Sequence, residues 1–184
     1  MPSGLVRFLS RQELLDLVRF ISELGKPGPY AVRQSAILQR YRVLLPPVPL
    51  ELCGEAPNTE LVRERVVDAP AEAFAPAYAT AFGDLPLAES MAGPGQPSVL
   101  FLQGELEVRV AGRVGLTIAG PEGTLVWLDG APYEQQREFQ ADLSLGRHKV
   151  TLRVVTQRDD GDHVRVEAKK PDGSTAEMSF VVGP

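Results

Sequence analysis

Between residues 98 and 182, apolar and polar side chains alternate with period two, and tight-turn residues cut the alternation into short pieces. In His148–Gln157, Val150, Leu152 and Val154 alternate with Lys149, Thr151, Arg153 and Val155. In His163–Lys169, Val164, Val166 and Ala168 alternate with Arg165, Glu167 and Lys169. Successive side chains of a strand point to opposite faces, so one apolar face marks a half-buried antiparallel strand. The same reasoning places strands at Val99–Gln103, Glu105–Val110, Val114–Ala119, Thr124–Leu128, Glu138–Leu143 and Ala176–Val182, with an earlier one at Gln39–Leu45. Asp129-Gly130, Asp160-Gly161 and Asp172-Gly173 supply the turns. Many short strands at this spacing predict a mainly β chain built as an antiparallel β-sandwich.

Proline and charge divide the 184 residues into three. Nine of the sixteen prolines fall in 46–97, so that stretch is neither one long helix nor a central strand. It carries two basic and eight acidic side chains, against seven and three in 1–45. Segment 58–73 reads as a short helix with Asn58 or Thr59 as its N-cap. The N-terminal part holds an amphipathic helix over 11–24. Ser10 and Glu13 form a capping box, Leu9 and Leu14 a hydrophobic staple, and Gly25 with Pro27 the stop. Leu14, Leu17, Val18, Ile21 and Leu24 recur at helical spacing, and this apolar stripe needs a partner, since a helix of about 14 residues is marginal alone.

Several chemistries find little support. A net charge of −5 gives no reason to expect nucleic acid. No apolar run approaches the ~20 residues of a membrane span. Cys53 is the single cysteine, standing in an acidic, proline-flanked stretch, and is read as inert; no disulfide within the chain and no C-x-x-C pair can form. His148 and His163 lack further ligands at a recognisable spacing, and Asp159, Asp160 and Asp162 are a charged hairpin tip rather than a calcium loop, so no metal site is assigned. Asp142, Ser144 and His148 invite a triad reading, but they crowd into seven residues and no G-x-S-x-G occurs. The chain alone is therefore read as no enzyme. Trp127, in the apolar run TLVWLDG, is a core residue or a sugar-stacking ring; Tyr133 in the following loop is the better exposed aromatic. With Asp129 these make the candidate ligand-binding set.

Two stretches resemble known families. MPSGLVRFLSRQELLDLVRFISELGKPGPYAV resembles the end of a bacterial c-type haem-binding domain found in large exported cytochromes and membrane-bound dehydrogenase proteins. Met1, Pro2, Gly4 and Leu5 match its Met-Pro-x-Gly-Leu segment, and Leu9, Glu13, Leu14, Asp16, Leu17 and Phe20 match its helix. The resemblance implies that residues 1–32 are the last helix of a haem domain and that Met1 is an internal methionine, the axial haem ligand of the intact parent. The chain has no C-x-x-C-H, so the resemblance places haem c in the parent and no cofactor in this chain. The second stretch, VLFLQGELEVRVAGRVGLTIAGPEGTLVWLDGAP with DLSLGRHKVTLRV, resembles a PA14-type sandwich through Trp127, Asp129, Gly130, Leu143, Gly146, His148, Val150 and Leu152.

Together the resemblances imply three parts. Residues 1–32 are the haem-domain helix, 33–97 hold a first strand, the Pro-rich connection and a short helix, and 98–184 are the main body of a PA14-like, jelly-roll-type sandwich that begins near residue 37. The implied function is a non-catalytic C-terminal module of a periplasmic or extracellular electron-transfer protein. Its partners are the upstream haem domain and, through the sandwich, carbohydrate or another domain. The alternative is a complete small carbohydrate- or protein-binding sandwich with no link to haem.

Overall fold

The computed structural model describes residues 10–23, 35–87, 98–133, 137–156 and 162–181. The chain divides into two units, 1–34 and 35–184. In the first, helix α1 spans Arg11–Glu23. The Ser10 N–H donates to Glu13 Oε2 at 2.7 Å and the Glu13 N–H donates to Ser10 Oγ at 3.2 Å, so two of the donors a helix start leaves over are satisfied reciprocally. No residue of α1 is buried, and Leu14, Leu17, Val18 and Ile21 stand exposed along it. Leu9, Leu24, Gly25 and Pro27 lie outside the described residues.

In the second unit the described residues form two antiparallel sheets. The strands are β1 (Ser35–Ile37), β2 (Arg40–Leu44), β3 (Phe74–Tyr78), β4 (Leu85–Pro86), β5 (Ser98–Val110), β6 (Gly112–Ala119), β7 (Leu125–Leu128), β8 (Ala131–Pro132), β9 (Glu138–Leu143), β10 (Gly146–Thr156), β11 (His163–Lys169) and β12 (Glu177–Phe180). The larger sheet has seven strands in the order β3-β2-β5-β10-β7-β8, with β12 also on β5. The smaller has five, β1-β11-β6-β9, with β4 also on β11. Strand β5 is paired by β10 from Ser98 to Val108 on one edge. On the other edge β2 meets Leu102 and Gln103, and β12 meets Leu106 to Val110.

The inner faces enclose the main core. Leu100, Leu102, Leu106 and Val108 of β5 and Val150, Leu152 and Val154 of β10 face Val114, Leu116, Ile118, Phe139, Val164 and Val166 of the smaller sheet. This is the period-two arrangement expected of a sandwich.

Three features depart from the sequence reading. Strand β5 runs unbroken through Gly104, where two strands are expected. A Cβ there would meet Leu38 Cδ2 at 2.3 Å, so the glycine marks a close approach of the buried Leu38 and not a strand end. The 58–73 segment is no single helix. Asn58 Oδ1 accepts the Glu60 and Leu61 N–H groups, helix α2 runs Thr59–Val62 and passes into a π-helical turn at Arg63–Val67, and a separate 3₁₀ turn follows at Ala71–Ala73. Finally, β3 arises inside the Pro-rich stretch. It is the edge strand of its sheet, a position that tolerates Pro76.

Part of the outer face of the seven-stranded sheet is covered. Leu44, Phe74, Phe101 and Trp127 project from it and pack with Leu52, Val62, Val66 and Val67 of the 46–73 connection as a second core. Each such apolar side chain gives about 1.5–3 kcal/mol on burial. The Pro-rich connection is thus a structural cover, held by the outward-facing residues of β2, β3, β5 and β7.

Candidate functional site

The Asp129-Gly130 turn joins β7 to β8 with two successive left-handed residues, φ +52° and +80°. That geometry suits a two-residue hairpin, and it aims the Asp129 carboxylate back at β10. Oδ2 lies 2.6 Å from His148 Nδ1, and Oδ1 accepts the Lys149 N–H at 2.8 Å. His148 Nε2 lies 2.9 Å from the Ser144 carbonyl oxygen. Both ring nitrogens therefore face acceptors, and only the doubly protonated imidazolium can donate to both. Burial alone lowers the His148 pKa, but the Asp129 hydrogen bond, the Ser144 carbonyl and the Asp129 charge outweigh it and raise it above its ordinary value. Ser144 links β9 of one sheet to β10 of the other. The network is thus a rivet at the sandwich rim.

A raised folded-state pKa favours the fold while the histidine is protonated. The contribution is complete below the ordinary His range and is lost as pH rises through the folded value. Urea unfolding should therefore show a lower midpoint at pH 8.5 than at pH 5.5, and the difference should shrink in His148→Gln. An unchanged difference in the variant would remove His148 from the effect.

The triad reading is resolved by the same contacts. Ser144 presents its carbonyl, not its hydroxyl, to His148, and Asp142 bonds Arg113 Nε at 3.2 Å across β6 and β9. The acid on His148 is Asp129, nineteen positions away in sequence.

Trp127 is 3% exposed and tilts against Phe101 with ring centroids 6.4 Å apart. A sugar platform needs an open ring face. Trp127 lines a small cleft of about 170 Å³ with Glu55, Pro57, Thr59 and Pro132. Tyr133 is half-buried, stacked on Phe139 at 4.1 Å. Asp129 has both carboxylate oxygens engaged in the rivet. Met1 lies outside the described residues, as do Asp159 and Asp160. Cys53 is half-buried and its Sγ lies 3.5 Å from the Pro49 carbonyl oxygen. With the histidine nitrogens of His148 engaged and no C-x-x-C-H in the chain, the described residues do not fit covalent haem. Among them no group of three or more His, Cys, Asp or Glu gathers as a metal site. No helix among them is long and apolar enough to cross a membrane.

A more open site lies beside the edge strand β3. A cleft of about 580 Å³ is walled mainly by apolar side chains, among them Leu45, Val48, Pro76, Leu85 and Pro86, and Tyr78 stands at it 65% exposed. The volume falls in the range usual for small-ligand sites. Sequence reasoning missed Tyr78 because it lies in a proline-rich stretch with no strand alternation to place it. Compared with family models, with curated proteins and with solved structures, the chain matches none.

Proposed function

We propose that the chain is a binding module, the C-terminal part of an exported haem-containing electron-transfer or dehydrogenase protein, whose β-sandwich engages carbohydrate. The observation that carries the carbohydrate reading is Tyr78, an exposed aromatic on an edge strand at the mouth of an apolar cleft. Pyranose rings lay their C–H faces on such rings, and an aromatic with a polar tip serves an interface with one apolar and one wet side. The link to a haem-containing parent rests on the resemblance of residues 1–32. It is supported by the exposed apolar stripe of α1, which the upstream haem domain would cover.

Titration of the chain with neutral and acidic oligosaccharides, followed by calorimetry, tests the reading. Tyr78→Ala should weaken saccharide binding about tenfold, in line with stacking worth roughly 0.5–1.5 kcal/mol beyond area burial. The melting temperature should stay unchanged, because the ring is exposed. Absence of binding across both classes of sugar would overturn the proposal.

A further inference from the structure

We infer that the groove on the outer sheet face beside the cover is an anion-binding groove, one that takes the carboxylates of an acidic, uronic-acid-type saccharide. The inference rests on the saccharide reading and names the chemistry of its ligand.

The groove has a volume of about 350 Å³ and is lined by Arg40, Arg42, Gln103, Glu105, Arg147 and Pro76, among others. Three guanidinium groups and one carboxylate line it. Glu105 is shared, with Arg42 on Oε1 and Arg147 Nη1 3.5 Å from Oε2. Arg40 has no acidic partner among the described residues, and its Nε is buried without a hydrogen bond. Gln103 is 1% exposed, and its Nε2 is likewise buried without a partner. Buried polar groups in native proteins are as a rule satisfied, so two orphan donors lining one groove point to an acceptor supplied from outside. Surplus positive charge beside them makes that acceptor an anion. The planar guanidinium fork matches a carboxylate in shape as well as in charge. The basic cluster is the more telling on a chain of net charge −5.

Register argues for a saccharide as carrier. Arg40 pairs directly with Tyr78 across β2 and β3, and Arg42 pairs with Pro76 on one side and Gln103 on the other. Directly paired residues share a face of the sheet. Tyr78 and Arg40 therefore stand side by side, a ring for a pyranose face next to a cation for its carboxylate. Pro76 and Ala75 line both this groove and the apolar cleft, so the two are contiguous.

Trigalacturonate, maltotriose and a tetra-aspartate peptide, titrated into the full chain at 50 and 300 mM NaCl, test the inference. Trigalacturonate should bind at least tenfold tighter than maltotriose and weaken at the higher salt. Arg40→Gln, Arg147→Gln and Gln103→Met should each weaken it about tenfold, whereas Arg113→Gln, on the other sheet, should not. Thermal melts of the variants separate lost binding from lost fold, and Gln103→Met keeps the side-chain volume while removing the donor. Equal binding of the two sugars with the arginine variants unaffected would overturn the anion groove and leave the saccharide reading standing. Tetra-aspartate binding as tightly as trigalacturonate would give the groove to an acidic protein segment and overturn the saccharide assignment. Absence of binding by either sugar would overturn both.

Discussion

Trp127→Ala should destabilise the sandwich by about 3–5 kcal/mol, the usual cost of deleting a large buried aromatic side chain. The indole is 3% exposed and shares the second core with Phe101, Leu52, Val62, Val66 and Val67. Those last four belong to the cover, which has no sheet pairing of its own across Leu50–Val67. The loss should therefore be uneven. Amide exchange should accelerate first in α2 and the π turn, while β5 and β10 keep their protection until global unfolding. Trp127→Phe should recover part of the loss, since it restores ring packing without the unpaired indole N–H. A uniform rise in exchange across both sheets would show that the cover is not a separable unit.

The second large effect is expected at Arg153. This residue projects from β10 into the same outer face and is 3% exposed. Its Nε donates to the Leu52 carbonyl at 3.2 Å, and its Nη2 donates to the Cys53 carbonyl at 2.8 Å. Hydrogen bonds from a charged group contribute about 1.5–3 kcal/mol each. Arg153→Leu should therefore cost about 3 kcal/mol, discounted from the sum because Cys53 is only half-buried and water can reach its carbonyl. Chemical denaturation measures the loss. In the double variant with Trp127→Ala the two costs should add to less than their sum, because either change alone already loosens Leu50–Cys53. Full additivity would place the two contacts in independent parts of the fold.

Arg153 also shows how far the sequence carries. The alternation in β10 correctly places Val150, Leu152 and Val154 inward. It also suggests that Thr151 and Arg153 face water, and both are buried, Arg153 against the cover. Period-two patterning reports which face is apolar, not what lies over the polar one. The sandwich itself was legible because every long strand has one strongly apolar face. Strand β3 was not, since its five residues include Pro76 and its pairing partner β2 lies some thirty residues upstream. Strand β1 is only three residues long and leaves no periodic signal.

The site followed the same division. Asp129, Gly130, Gly146 and His148 stood out in the sequence as a pattern, but the bond between Asp129 and His148 depends on β7 lying beside β10, which no local signal reveals. Tyr78, Arg40 and Gln103 carry no pattern at all. They become a constellation only when β3, β2 and β5 lie next to one another.

The sharing of one edge of β5 between β2 and β12 bears on how the chain assembles. Strand β1 closes on β11, and β12 finishes the edge that β2 begins. The first strand of the unit thus finds its place only beside a strand made near its end, whereas β2 pairs earlier, with β3 and β5. Chain-distant pairing of this kind makes folding slow. During synthesis β1 must wait for β11 to emerge, and the edge of β5 is completed only when β12 follows. Until then the inward apolar faces of β2 and β5 are open, although the side chains of β2, β3, β5 and β7 on which the cover packs are already made.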